Sequence, residues 1–304
     1  MGASSKPESP LAALGVTRSV LAEFGLETKH ALGQNFLVND AIIKKIIKLS
    51  GVGPDDCILE VGPGIGTLTV ALLKHAGSVI SVERDKDLPS VLAKTCAPWG
   101  DEFTLLCKDA LDLRVSDFEG RAPSRFVANL PYAVAATLIL DYFERFESIQ
   151  SATVMVQKEV ADRIMAKVGS KDYGAYTVKL GMYAKPHGRF AVSAGNFYPP
   201  PRVESAVVRL DRETPCNASG DALDQRLVEL TCRMADAAFA TRRKTISNSF
   251  KTYLSGAQGP ISQLSGRTGE LFERASIDPK RRGETLSHEE FIALGMAADA
   301  MMQA

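Results

Sequence analysis

The chain has 304 residues, 45% of them hydrophobic and 24% charged, which suits one large or two modest globular domains and excludes a disordered or fibrous chain. Its 36 basic and 36 acidic side chains cancel, so bulk charge points to no nucleic acid or anionic surface, and any such partner must be read from local patches. No apolar run is long enough to cross a bilayer, and five cysteines without a C-x-x-C pair suggest neither a zinc site nor a disulfide framework; the expectation is a cytoplasmic protein with no metal and no membrane partner.

The N-terminal "MGASSKPESP" lacks an apolar signal core, and Lys6 breaks the myristoylation pattern. With a short helix predicted in "TRSVLAEFGL", residues 1–27 read as a flexible tail and a short helix. A helix is expected in "NDAIIKKIIKLSG", capped by Asn39 or Asp40 and stopped by Gly51. Short apolar runs then alternate with helical stretches. The predicted strands are 57–62 (CILEVG), 78–83 (SVISVE), 103–107 (FTLLC), 125–129 (RFVAN) and 151–157 (SATVMVQ). Between them lie "TLTVALLKH", "DLPSVLAK" and "AATLILDYFERF". This alternation predicts an α/β fold whose mainly parallel sheet is covered on both faces. Three consecutive prolines, Pro199–Pro201, stiffen a loop, and a strand resumes near Glu204. The polar stretch 211–221 reads as a linker, and the remainder is helical. The expected division is 28–211 for the α/β domain and 212–304 for a small all-helical domain.

The segment "ILEVGPGIGTLTVALL" joins the first predicted strand to a helix. Gly62, Gly64 and Gly66 allow a tight turn and close approach of a ligand to the backbone. The dinucleotide fingerprint needs a glycine where this chain has Thr67, which disfavours a pyrophosphate. Acids follow the successive strands. Glu60 precedes the loop, Glu83 ends the second strand about 20 residues on, where a carboxylate accepts ribose hydroxyls, and Asp109 follows the third. Three carboxylates around one crevice suit a ligand carrying ribose, adenine and a positive charge, and S-adenosyl-L-methionine has all three.

The fourth predicted strand ends in "NLPY", Asn129 to Tyr132. Methylating an exocyclic base amine is hard because the nitrogen lone pair is delocalised into the ring. Two fixed acceptors for the two N–H bonds draw that nitrogen toward a tetrahedral, nucleophilic geometry. The Asn129 side-chain carbonyl and the Leu130 backbone carbonyl are suitable. Pro131 restricts its own φ and keeps Leu130 out of the helical region, and Tyr132 offers a flat face for an unstacked base.

The motifs "LGQNFLVND", "ILEVGPGIGTLT", "NLPY", "VMVQKEVADRI", "NFYPPPRVESAVVRL", "FATRRKTISNSF" and "IDPKRRGETLSHEEFIAL" occur in this order. In this the chain resembles the bacterial small-subunit (16S) ribosomal RNA adenine N6,N6-dimethyltransferases, the kasugamycin-sensitivity methyltransferase family. The likeness runs from about residue 28 to 294. It implies a Rossmann-like class I methyltransferase sheet followed by a helical domain. It also implies dimethylation of N6 on two adjacent adenosines near the 3′ end of 16S rRNA, in the small ribosomal subunit or its precursor, with S-adenosyl-L-methionine as donor. A monomer with a further role in late subunit assembly is expected. Carried over by position, Asn35, Leu37, Gly62, Glu83, Asp109 and Asn129 match cofactor contacts, with Asn129 also the catalytic amide. Phe197 matches an aromatic that packs on the target base opposite Tyr132.

The family usually continues past NLPY with a polar "N-x-S-T-P"-like run, where this chain has Ala133, Val134, Ala135, Ala136 and Thr137. A helix cap and contacts near the target are therefore expected to be missing. Basic residues and acids nearly balance beyond residue 211, so RNA contact rests on two short patches, Arg242, Arg243 and Lys244 in one and Arg281 and Arg282 in the other. Two alternatives remain at the sequence level: a resistance-type 23S rRNA adenine N6-methyltransferase, and an assembly factor that binds the subunit without catalysis.

Overall fold

The computed structural model describes residues 6–29 and 32–303. The first helix, α1 (Leu14–Glu23), is followed by a short strand β1 (Phe36–Leu37) and by α2 (Asp40–Ser50). The ends of α2 are set locally. The Asn39 side chain accepts the Ala41 N–H at 2.9 Å, and Gly51 leaves the helix in the left-handed region at φ 61°. Between those ends Ile42, Ile43 and Ile46 recur at helical spacing and are buried, each worth about 2 kcal/mol of transfer free energy.

The alternation runs through β2 (Cys57–Val61), α3 (Thr67–Leu73), β3 (Ser78–Glu83), α4 (Pro89–Thr95), β4 (Phe103–Cys107), β5 (Arg125–Asn129), α5 (Ala135–Arg145) and β6 (Ser151–Gln157). Two short helices, α6 (Lys158–Ile164) and α7 (Ala175–Gly181), come before β7 (Ala184–Val192), β8 (Phe197–Tyr198) and β9 (Ser205–Arg212). The C-terminal part contributes α8 (Gln225–Phe239), α9 (Ile246–Ser255), α10 (Thr268–Arg274) and α11 (His288–Gln303).

Seven strands form one sheet in the order β4-β3-β2-β5-β6-β9-β7. Neighbours from β4 to β6 are parallel, and β9 runs antiparallel to β6, with Met155 opposite Val207. Central residues such as Ile58, Leu59, Val79, Val127, Val154 and Val207 are buried, as expected where both faces are covered. The chain steps outward from β2 to β3 and β4, then returns to place β5 on the other side of β2. That reversal opens a crevice above the C-terminal ends of β2 and β5, the place where open α/β sheets bind ligands.

Three features differ from the sequence expectation. First, residues 6–27 are packed rather than tail-like, while residues 1–5 lie outside the described residues. Leu11, Ala12 and Leu21 join the hydrophobic core, the Ser9 N–H donates to Asp40 Oδ1 at 2.9 Å, and Lys74 Nζ donates to the Pro7 carbonyl at 2.9 Å. These partners lie far away in sequence, so no local pattern announces them.

Second, β7 was not predicted. Pro186 and Gly188 interrupt its pattern, and both are tolerated because β7 is the edge strand, where a missing ladder N–H costs little.

Third, a single cut near 212 does not describe the two compact units. One unit holds the chain up to Ala161 together with Pro186–Arg212, and the other holds Asp162–Lys185 together with Glu213 onward. Within the second unit, Tyr173 and Val178 share a core with Met234, Phe250 and Phe291, and the Tyr173 hydroxyl donates to the Leu286 carbonyl at 3.0 Å. In sequence, 162–185 looks like any crossover helix, and only its packing partners reveal where it belongs.

Candidate active site

A cavity of about 510 Å³ opens at the crevice above β2 and β5, a size typical of small-molecule sites. All of the residues assigned to the cofactor by resemblance line it: Asn35, Leu37, Gly62, Glu83, Asp109 and Asn129. Leu130, Pro131 and Tyr132 line it as well. Segments from β1, β2, β3, β4 and β5 thus meet at one wall.

The glycine loop has packing reasons for its composition. Gly62 has φ 70° and donates its N–H to the Val82 carbonyl at 3.0 Å; a Cβ there would lie 3.6 Å from Pro131 Cδ. Gly64 has φ 60°, and a Cβ would stand 2.9 Å from the Phe36 ring. Larger residues would be strained in this conformation, and at Gly64 they would also push β1 away from the loop. At the start of α3, Thr67 is 4% exposed, lines the cavity and has a hydroxyl with no hydrogen-bond partner. In the sequence Thr67 only disfavours a pyrophosphate. An unpartnered buried hydroxyl on a cavity wall suits a polar ligand group.

The three acids differ in their surroundings. Glu60 is 1% exposed, and its Oε2 accepts the hydroxyls of Thr69 and Ser81, each at 2.7 Å. Burial pushes its carboxyl up to about 7, against the opposing effect of those two hydroxyls. A carboxyl raised above its unfolded value binds its proton more tightly in the native state, so stability falls as pH rises from the unfolded pKa to about 7. Glu60→Gln removes a cost of about 3 kcal/mol above that range. The variant is therefore expected to melt higher than wild type at pH 8, with the difference vanishing near pH 4; thermal melts at both values check this.

Glu83 is also buried, and burial raises its carboxyl pKa although the Asp85 N–H donates to Oε1 at 2.8 Å. Asp109 is half-exposed. It accepts the Leu111 N–H at 3.0 Å and pairs with Arg84 at 3.1 Å. The other cation on the wall, Lys108, pairs with Asp117 at 2.7 Å. Among the described residues both cations on the wall are paired with carboxylates, so the site offers little to a phosphate.

The NLPY segment is held from both sides. Asn129 Nδ2 donates to the Asn35 backbone carbonyl at 3.1 Å. A carbonyl can only accept, so the facing atom must be the NH2, and Oδ1 is left as a free acceptor. Leu130 has its side chain buried and its N–H on the Met155 carbonyl at 3.1 Å. The Tyr132 hydroxyl lies 2.5 Å from Ser205 Oγ, which anchors the half-buried ring to β9. Helix α5 begins without a side-chain cap, Val134 standing at the N-cap.

Other predicted site residues are not brought here. Phe197 is 4% exposed, belongs to the hydrophobic core and pairs with Leu37 across β1 and β8; it does not line the cavity. Alternation within a two-residue strand sends its ring inward, and a strand that short has no period from which to tell which of Phe197 and Tyr198 faces out. The basic residues belong to the second unit. There the Ile246 N–H donates to the Arg281 carbonyl at 2.8 Å, which brings the two patches side by side. Arg281 is engaged by Glu290 and Arg242 by the Lys171 carbonyl, whereas Arg243 and Lys244 are exposed and Arg282 lies 3.9 Å from Glu284.

The chain matches the family described as "Ribosomal RNA adenine dimethylase" over residues 25–294. It is 38% identical over 295 residues to a protein of Bifidobacterium adolescentis named "Ribosomal RNA small subunit methyltransferase A", covering 93% of this chain and 92% of that one. A protein of Mycobacterium tuberculosis with the same name is 40% identical over 282 residues, covering 91% and 85%. Among solved structures, a dimethyladenosine transferase from Plasmodium falciparum superposes with a TM-score of 0.72 at 24% identity, over 88% of this chain and 98% of that one. The 23S rRNA methyltransferase ErmE superposes with a TM-score of 0.63 at 24% identity, over 87% and 100%. The last two likenesses speak for the class I methyltransferase fold alone. With its family motif spanning most of its length and relatives near 40% identity, the chain belongs to the ribosomal RNA adenine dimethylase family.

Proposed function

We propose that this chain dimethylates N6 of two adjacent adenosines near the 3′ end of 16S rRNA, acting as a cytoplasmic monomer on the small ribosomal subunit or its precursor. The observation that carries the reading is the Asn129 carboxamide, turned by the Asn35 carbonyl so that Oδ1 remains an open acceptor beside the glycine loop.

S-adenosylmethionine is the methyl donor, and the cavity residues fit it. Glu83 and Asp109 suit its ribose and positive charge, the Thr67 hydroxyl awaits a polar partner, and Gly62 and Gly64 keep the loop free of side chains on the cavity wall. Glu83 would take the ribose hydroxyls, Asp109 the adenine amino group, and Asn35, Leu37, Gly62 and Asn129 the rest of the wall. When bound, the cofactor supplies an electrophilic methyl carbon on sulfur.

The chain's own part is positioning. Asn129 Oδ1 and the Leu130 carbonyl accept the two N–H bonds of the target amine and draw its lone pair out of the ring. Tyr132, held by Ser205, gives the flipped base a flat face. No base of shifted pKa is needed, because the amine becomes acidic once methylated, and its proton passes to the acceptors and then to water. The release of one N–H bond after the first transfer leaves the second still held, which lets the same site act twice. Arg243, Lys244 and Arg282, the basic side chains least engaged, are the proposed phosphate contacts, with Arg242 and Arg281 shaping their loop.

The sequence relatives bear a small-subunit name, and this favours 16S over 23S rRNA as substrate. The test is methyl transfer from labelled S-adenosylmethionine to unmethylated small and large subunits, with the modified nucleotides mapped. Two adjacent dimethyladenosines in the small subunit alone are expected. Label in the large subunit would turn the reading to the resistance-type activity, and subunit binding without label would leave an assembly factor.

A further inference from the structure

Hydrogen bonds converge on a buried carboxylate that no step of the reaction uses. Asp85 lies just beyond β3 and is 6% exposed. Its Oδ1 accepts from Lys29 Nζ at 2.5 Å and from the Asp87 N–H at 3.1 Å, and its Oδ2 accepts from Gln34 Nε2 at 2.7 Å. The other end of the Gln34 amide, Oε1, accepts the Lys29 N–H at 2.9 Å. Gln34 thus has both ends of its carboxamide fixed. The next residue, Asn35, carries the carbonyl that holds Asn129 Nδ2, while its own Nδ2 donates to the Gly33 carbonyl at 3.0 Å.

A turn after a strand needs far less than this. The Asp87 N–H alone would close an ordinary Asx turn. The two extra partners come from a segment more than 50 residues earlier in the chain, and that segment also forms part of the cavity wall. Burial by itself would push the Asp85 carboxyl up, but Lys29, the Asp87 N–H and Gln34 together hold it below the usual carboxylate range. An ionised carboxylate at this burial is therefore a fixed anchor for whatever it grips. What it grips is the residue beside Asn35. A displacement of the Asn35 carbonyl by about 1 Å would free the Asn129 carboxamide to rotate, and misplacement on that scale is costly to a reaction that depends on geometry.

We propose that Asp85 is a positioning residue for methyl transfer: through Gln34 and Lys29 it fixes the Asn35 carbonyl, which in turn holds the Asn129 carboxamide with Oδ1 toward the target amine. The proposal rests on the reading of Asn129 as the acceptor of the target N–H.

Gln34→Glu tests it. With both carboxyls ionised, Glu at position 34 repels Asp85, with Asp87 and Glu83 adding like charge and Lys29 opposing. When the pair takes up a proton, an O–H donor to Asp85 Oδ2 is restored, and two carboxyls sharing a site do so well above the usual range. At pH 8, kcat on small subunits is expected to fall on the order of tenfold, with the cofactor KM within about threefold of wild type. At pH 6 the ratio of variant to wild-type kcat is expected to recover to within about twofold. The melting temperature of the cofactor-free variant should rise toward that of wild type over the same interval. Gln34→Met, which removes both amide bonds without adding a titrating group, should lose a similar factor at both pH values.

An unchanged kcat for Gln34→Glu at pH 8, a loss confined to the cofactor KM, or a loss that does not recover at pH 6 would overturn the proposal. Failure of the underlying reading looks different: Asn129→Ala, measured in the same assay, would then keep its methyl transfer.

Discussion

Asn129→Ala is expected to lower methyl transfer by roughly 10³-fold while leaving subunit binding within about twofold of wild type. The size follows from the role. The carboxamide oxygen accepts an N–H bond that strengthens as the nitrogen becomes tetrahedral, so its contribution is made mainly in the transition state and appears in kcat. Asn129 ends β5 and is half-buried, with one side-chain hydrogen bond to the Asn35 carbonyl, so its loss should cost little folding stability. Asn129→Asp separates acceptor from donor. Asp keeps an oxygen where Oδ1 stood but sets a second oxygen against the Asn35 carbonyl, two acceptors facing each other. That variant should also be strongly impaired, which would show that the carboxamide must be held as well as present. Single-turnover methylation and subunit pelleting measure the two quantities separately. Loss of binding together with transfer would count against this division of roles.

Glu83→Ala is expected to weaken S-adenosylmethionine binding by about 10²-fold, the loss of two charge-assisted hydrogen bonds to ribose hydroxyls at roughly 1.5 kcal/mol each. The same change strips the Asp85 N–H of its acceptor at 2.8 Å, so part of the loss could come from a loosened turn. Glu83→Gln distinguishes the two. It keeps an oxygen for that N–H but replaces the second acceptor with a donor, and should still weaken binding about tenfold while melting close to wild type. The pH dependence has a defined sign. Burial raises the Glu83 pKa, so its carboxylate is protonated more readily than an exposed one, and cofactor affinity in wild type should fall as pH drops through that raised value. The Gln variant lacks the group and should lose that component. Titration calorimetry across pH would read both effects, and a pH profile identical in wild type and Glu83→Gln would remove Glu83 from the cofactor contacts.

Much of the α/β unit was legible from pattern alone. The five apolar runs are strands with nearly the predicted limits, because a buried parallel strand needs a short β-rich run whatever packs on it. The start of α2 at Asn39 and its stop at Gly51 were legible for the same local reason: a side-chain acceptor for an orphan N–H, and a backbone that only glycine adopts cheaply. The acids at the strand ends could be read as convergent because parallel strands place all their C-terminal ends on one edge.

A position that depends on a partner distant in sequence leaves no local pattern to detect. Phe197 turned inward because β8 pairs with β1, a two-residue contact with no sequence period to detect. The segment 162–185 joined the helical unit because Tyr173 and Val178 found their core there. Asp85 is held by Lys29 and Gln34, more than 50 residues earlier in the chain, a link that no local pattern carries.

The sequence by itself determined the parallel strands, the glycine loop and the placing of the acids and of NLPY at strand ends, since each follows from backbone chemistry within a few residues. Only the tertiary structure decided which way the Asn129 carboxamide faces, because that choice is made by a carbonyl 94 residues away that can accept a hydrogen bond and cannot donate one.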